Sequence, residues 1–148
     1  MSAQKAILLV EDDDAHAMLI TRTLEEASEV NRVFRVSDGE EALDYLFRRG
    51  KYAAHEDSPR PDLVLLDLRL PKLDGHDVLI AIKQSEELKT IPVVVLTTSE
   101  NGRDVTKAYS HYANSYLVKP LGFGEFSALI QALCSYWLVQ NRPPGNEK

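Results

Sequence analysis

Short apolar runs alternate along this chain with longer segments whose apolar residues recur at three- and four-residue steps, and no other feature restricts the fold as much. The runs are Ala6 to Val10, Arg32 to Val36, Leu63 to Leu66, Val93 to Leu96 and Tyr116 to Val118. Four of these five read almost continuously apolar, as strands covered on both faces do, and the second is the weak member. Helical spacing links Ala17, Ile20, Leu24 and Ala27, then Leu43, Leu46 and Phe47, then Val78, Leu79 and Ile82. It returns at Val105, Ala108, Tyr109 and Tyr112, and again at Phe126, Leu129, Ile130, Leu133 and Trp137. Each of these five segments reads as a helix with one buried face. Strands and helices in this alternation form βαβ units around a parallel sheet, so the fold class is α/β.

A chain of 148 residues with 44% hydrophobic content supplies one ordinary core and is short for two. Residues 1–140 are therefore expected to form one domain. The tail 141–148 has two prolines, a glycine and no apolar residue, and is expected to fray. With 23 acidic against 17 basic residues the net charge is −6, and no dense Lys/Arg stripe could neutralise a phosphate backbone, so nucleic acid is not expected as a partner. No apolar run approaches the roughly 18 residues that span a bilayer, so neither a membrane span nor a signal peptide is expected. Cys134 is the single cysteine and lies among Leu129, Ile130 and Leu133. It reads as core packing in a reducing cytoplasm.

Ser37 and Glu40 have capping-box spacing before the second helix, and Asn101 can cap the fourth. Arg49 to Pro61 is polar and contains Gly50, Pro59 and Pro61, so it is expected to be an exposed loop of about a dozen residues.

Placed on this map, Glu11 and Asp12 follow the first strand, Asp67 ends the third, Thr97 the fourth and Lys119 the fifth. Open α/β sheets bind ligands in the crevice beyond the carboxyl ends of their strands, so these positions converge on one pocket. Glu11, Asp12 and Asp67 gathered there repel one another unless a cation lies between them. No His or Cys stands near enough in the pattern to suggest zinc, whereas Mg²⁺ takes carboxylates, waters and phosphate oxygens. Asp67 ends a buried run, where a carboxylate is costly unless it faces an ion, a donor or water, and it is a competent nucleophile toward a phosphoryl group. From the end of its strand Lys119 can reach over the crevice, and Lys119-Pro120 carries a raised chance of a cis peptide that would aim it inward. The Thr97 hydroxyl can donate to a phosphoryl oxygen. Tyr116, in the neighbouring strand, can turn inward or outward.

Together these residues resemble the receiver domains of two-component response regulators, from Lys5 to about Leu138. Ile7-Leu8-Leu9-Val10-Glu11-Asp12 is similar to that family's opening, Asp67-Leu68-Arg69-Leu70-Pro71 with Asp74-Gly75 to its phosphorylation loop, and Lys119-Pro120 to its last signature. The resemblance implies a flavodoxin-like fold of five strands in the order 2-1-3-4-5. It implies that Asp67 is the phosphoacceptor, that Asp12 and Asp67 bind Mg²⁺ directly, that Glu11 acts through water, and that the backbone carbonyl of Arg69 completes the set. Thr97, Tyr116 and Lys119 correspond to its switch threonine, switch aromatic and conformational lysine, with Thr98 and Pro120 beside them. A sensor histidine kinase is the implied phosphodonor. The loop Arg49 to Pro61 and the closing Cys134-Ser135-Tyr136-Trp137-Leu138 resemble single-domain regulators paired with bacterial phytochrome kinases, which form homodimers through the face of the fourth helix, fifth strand and fifth helix. Chemotaxis-type regulators, with a shorter second loop, and phosphorelay intermediates are the alternative within the family. Thr98 is bulkier than the usual alanine or glycine, and Arg69 puts a large cation at a position expected to affect how long the acyl phosphate survives.

Other classes fit less well. Phosphohydrolases of the haloacid dehalogenase type need a second acid two residues after the nucleophile, where this chain has Arg69. No glycine-rich phosphate cradle follows the first strand. A receiver that only docks would be expected to lose an acid or the lysine, and none is lost here.

Overall fold

Leu63-Val64-Leu65-Leu66 and Val93-Val94-Val95-Leu96 are β-forming and apolar on both faces, so they are stable only where helices cover the sheet on both sides. The computed structural model, which describes residues 4–54 and 58–144, builds that arrangement. In chain order the elements are β1 (Lys5–Val10), α1 (Asp14–Ala27), β2 (Asn31–Val36), α2 (Gly39–Leu46), β3 (Leu63–Leu66), α3 (Gly75–Gln84), β4 (Val93–Thr97), α4 (Gly102–Ser110), β5 (Ser115–Val118) and α5 (Phe123–Cys134). The five strands are parallel in the order β2-β1-β3-β4-β5, as the resemblance implies.

The period of two along each strand sends alternate side chains into two cores. Leu8, Val10, Val64, Leu66, Val93 and Val95 pack under α2, α3 and α4 with Ala42, Leu46, Val78, Leu79, Ile82 and Ala108. Ile7, Leu9, Leu63, Leu65, Val94 and Leu96 pack under α1 and α5 with Ala17, Ile20, Leu24, Phe126, Ile130 and Leu133. Cys134 lies in this second core, as expected, and its Sγ takes a long 3.5 Å contact from the Asn31 side-chain amide.

Several local expectations are corrected. The N-cap of α2 is Asp38, whose carboxylate accepts from the Glu41 amide at 2.7 Å, while Glu41 reaches back to the Ser37 amide at 3.1 Å. The capping box is thus one residue later than the Ser37 and Glu40 pairing. Asn101 does cap α4, accepting from the Arg103 amide at 2.8 Å. Within α4 only Ala108 is buried, and Tyr109 and Tyr112 face solvent, because the outer end of the sheet offers too little apolar surface to cover them, and Phe47 at the C-cap of α2 is exposed as well. At that edge, β5 is only partly buried. The fifth helix does not run on uniformly to Leu138: from Ser135 to Gln140 it widens into a π-helical turn, with the Asn141 amide donating to the Tyr136 carbonyl at 2.7 Å.

Of the loop Arg49 to Pro61, residues 55–57 lie outside the described residues, and the remainder is less open than its composition suggests. A 3₁₀ turn spans Gly50–Tyr52, Ser58 is buried, the Tyr45 hydroxyl donates to the Pro59 carbonyl at 2.9 Å, and the Tyr52 hydroxyl donates to Glu41 at 2.7 Å. These bonds satisfy loop backbone that would otherwise need water. Of the tail, residues 141–144 carry no helix or strand and residues 145–148 lie outside the described residues.

Candidate functional site

Register carries the strand ends to one place. Val10 pairs with Leu66 across β1 and β3, so the next residues, Glu11 and Asp67, emerge side by side, and the Asp67 amide continues the ladder to the Val10 carbonyl at 3.0 Å. On the other side Thr97 pairs with Val118, and the Lys119 amide donates to the Thr97 carbonyl at 2.7 Å. That ladder bond aims Lys119 at the crevice. The Lys119-Pro120 bond is trans, as no described peptide bond is cis, so the suggested cis peptide is not what turns the lysine inward.

Glu11, Asp67, Thr97 and Lys119 are buried, while Asp12 is open to solvent. Lys119 Nζ donates to Glu11 Oε1 at 2.6 Å and to Asp67 Oδ2 at 2.9 Å. Carboxylate oxygens of Glu11, Asp12 and Asp67 lie within 4.8 Å of one another. The other oxygen of Asp67 accepts from the Arg69 amide at 3.2 Å, and Glu11 Oε2 accepts from the Asp13 amide at 3.1 Å. Burial pushes the Glu11 carboxyl up to about 7, and the negative Asp67 adds to the shift while Lys119 opposes it. Three acids against one lysine leave the crevice short of positive charge. An all-oxygen donor set with one open member suits a hard divalent cation that keeps part of its water shell.

Gly75 explains the Asp74-Gly75 pair. A Cβ at position 75 would stand 2.4 Å from the Asp67 carbonyl oxygen and 2.6 Å from Leu68 Cα, so only glycine lets α3 begin against the backbone that carries Asp67. Asp74 caps the same helix, accepting from the His76 amide at 2.7 Å.

The remaining expected residues frame the crevice. Thr97 Oγ1 accepts a long 3.4 Å bond from the Ser99 amide, and the Tyr116 hydroxyl, half-buried, donates to the Ser99 carbonyl at 2.9 Å. Thr98 is exposed and joins Pro120, Lys119 and His16 around a cavity of about 290 Å³ beside the acids. The Arg69 side chain forms an ion pair with Asp104 in the first turn of α4.

Three contributors were not anticipated. Arg35, on the edge strand β2, holds the Glu11 carbonyl at 2.9 Å. Asp104 accepts from Ser99 Oγ at 2.6 Å and lies 3.2 Å from Nε2 of the buried His76, besides pairing with Arg69. His16 also stands at the site, its Nδ1 3.0 Å from Lys119 Nζ, although the acid cluster does not include it. Only His16 had a local signal, being one helical turn beyond the acids that follow β1; the others depend on contacts distant in sequence.

Comparison with known proteins agrees with this geometry. Residues 7–131 match the family model of the response regulator receiver domain. The chain is 52% identical over 141 residues to the probable methanogenesis regulatory protein FilR2 of Methanothrix harundinacea, covering 94% of this chain and 87% of FilR2. It is 44% identical over 134 residues to response regulator Rcp1 of Synechocystis sp., covering 90% of this chain and 89% of Rcp1. The crystal structure of Mn²⁺-bound Rcp1 superposes with a TM-score of 0.89 at 42% identity, over 95% of this chain and 99% of that one. The phosphorylated cyanobacterial phytochrome response regulator RcpA superposes with a TM-score of 0.92 at 40% identity, over 97% of this chain and all of that one (100%). Strand order, crevice and sequence likeness therefore agree: the chain belongs to the family of response regulator receiver domains, signalling proteins whose crevice takes a divalent metal.

Proposed function

We propose that this receiver domain accepts a phosphoryl group on Asp67 from a sensor histidine kinase of the phytochrome type. The observation that carries the reading is the placement of Lys119 Nζ between Glu11 Oε1 and Asp67 Oδ2, at 2.6 and 2.9 Å, within a crevice of three acids. Mg²⁺ would be held by Asp12, Asp67 and the Arg69 carbonyl, with Glu11 acting through water. When bound, it neutralises charge on the transferring phosphoryl oxygens.

Asp67 Oδ attacks phosphorus in line as the bond between phosphorus and the kinase's phosphohistidine nitrogen breaks, and the imidazole leaves with the electron pair. Lys119 meets a phosphoryl oxygen as the charge that it held on Asp67 moves outward, and Thr97 offers its hydroxyl to another. The chain itself catalyses both this step and the later hydrolysis, in a cytoplasmic setting. Because Tyr116 is tied to the carbonyl of Ser99, two residues after Thr97, movement of that loop changes the aromatic's seat and the face of α4, β5 and α5. That face carries exposed Tyr109, Val118, Leu121 and Phe123, which suit it to homodimer formation. Residues 1–140 form the receiver unit, with 141–148 as its tail.

The phytochrome assignment rests on likeness to the phytochrome response regulator RcpA. A second reading, a kinase with a different input, is favoured by the higher identity to FilR2. The test is transfer of labelled phosphate from an autophosphorylated bacterial phytochrome kinase, with light scattering of the acceptor. Rapid labelling that is lost in Asp67→Asn supports the assignment. Labelling by acetyl phosphate but not by phytochrome kinases moves it to the second reading.

A further inference from the structure

Lysine's ammonium has three hydrogens and no lone pair, so each hydrogen needs an acceptor when the group is buried. Glu11 and Asp67 take two of those on Lys119, at 2.6 and 2.9 Å. The third points to His16 Nδ1 at 3.0 Å. Because the ammonium can only donate, this nitrogen accepts, and the His16 proton sits on Nε2.

His16 is well placed for such a role. Its backbone amide donates to the N-cap side chain of Asp13 at 3.0 Å, which fixes the first turn of α1. Its ring meets Phe126 of α5 edge to face, with centroids 5.5 Å apart and planes at 68°. Asp13 Oδ2 lies 4.0 Å from the same Nδ1, a full ångström farther than Lys119 Nζ. Side-chain exposure falls from 33% at His16 to 2% at Lys119, so the imidazole closes the solvent side of a buried ion cluster.

We infer that His16 is a positioning residue for phosphoryl transfer: by accepting the third ammonium hydrogen of Lys119, it aims the other two at Glu11 and Asp67. This rests on the reading of Asp67 as phosphoacceptor. In transfer from acetyl phosphate, an Asp67 oxygen forms its bond to phosphorus as the acetate oxygen–phosphorus bond breaks, and acetate leaves with the electron pair. His16 transfers no proton in this step and acts only through Lys119. Without its nitrogen the ammonium gains a rotational freedom, and one buried hydrogen is left unpaired.

Two variants separate the acceptor from the ring. His16→Phe keeps an aromatic edge for Phe126 but removes the nitrogen, and His16→Gln restores an acceptor oxygen. Phosphorylation by acetyl phosphate in the presence of Mg²⁺ is expected to slow by at least about fivefold in His16→Phe. Rates in His16→Gln should recover most of the loss, with Mg²⁺ affinity unchanged in both variants and the thermal midpoint lowered in His16→Phe, where the hydrogen is left unpaired. Imidazole ¹⁵N shifts of the wild-type protein provide a readout independent of phosphorylation, and are expected to show His16 Nδ1 without a proton. An unchanged rate in His16→Phe, a loss that His16→Gln does not rescue, or a protonated Nδ1 paired with Asp13 overturns the inference. A wild-type protein that takes no phosphate contradicts the Asp67 reading instead, and the ¹⁵N spectrum then still decides the His16 contact.

Discussion

The guanidinium of Arg69, on the loop after β3, donates to the carboxylate of Asp104 in the first turn of α4, 35 positions along the chain. The same carboxylate accepts from Ser99 Oγ, and the Ser99 carbonyl accepts from the Tyr116 hydroxyl. One hydrogen-bonded chain therefore runs from the residue that flanks the acids, through the loop after β4, to the aromatic on β5.

Asp104 holds the Arg69 guanidinium by an ion pair; on the proposed reading of Asp67 as phosphoacceptor, we propose that Arg69 flanks the route of the water that hydrolyses the aspartyl phosphate. Arg69→Ala is expected to shorten the lifetime of the phosphorylated protein severalfold, within about tenfold (1.4 kcal/mol). Loss of the phosphoryl mass after removal of the donor measures it, and an unchanged rate would exclude a role for Arg69.

The Ser99 hydroxyl above all, with His76 and Arg69, holds the Asp104 carboxyl below its ordinary value of 3.8 against the opposing effect of burial. A carboxyl whose value is lower when folded than when unfolded adds stability above the unfolded value, and that stability is lost as pH falls through the folded one. Stability to urea should therefore fall below about pH 4 with a shallower slope in Asp104→Asn than in the wild type. Equal slopes would show that the Asp104 network contributes nothing to acid unfolding.

Tyr116→Phe removes the donor to the Ser99 carbonyl while keeping the ring. The cost should be about 1 kcal/mol in urea unfolding. Because Ser99 is shared, a double-mutant cycle with Asp104→Asn should be non-additive by about 0.5 kcal/mol or more. Strict additivity would mean that the two ends of this chain of bonds do not communicate.

Gly75→Ala forces a methyl group against the Asp67 carbonyl and Leu68 Cα at 2.4 and 2.6 Å, and both are backbone that cannot step aside cheaply. A loss of about 1–3 kcal/mol is expected. Phosphorylation of the folded fraction should also slow, because the relief comes by displacing Asp67. A stable, fully active Gly75→Ala would contradict the close approach of α3 to the Asp67 backbone.

The strands and the gathering of Glu11, Asp12, Asp67, Thr97 and Lys119 were legible because each rests on a local pattern read together with one topological rule, whereas the strand order came from the family resemblance. What the sequence hid depends on long-range partners. Ser37/Glu40 and Asp38/Glu41 have the same spacing, and Asp38 prevails with its 2.7 Å bond to the Glu41 amide. Order in the loop before β3 comes from Tyr45, which lies 14 residues from the carbonyl that it holds. Asp104 reads as one more acid in a helix's first turn, and only the fold reveals that Arg69, His76 and Ser99 converge on it. Tyr109 and Tyr112 kept helical spacing without burial, since α4 covers only the margin of the sheet.

The most direct test of the account is intact mass after incubation with acetyl phosphate, with and without Mg²⁺, beside Asp67→Asn. The account predicts the gain of one phosphoryl group that requires both Mg²⁺ and Asp67. A folded, Mg²⁺-binding protein that gains no mass, or a gain that persists in Asp67→Asn, would contradict it.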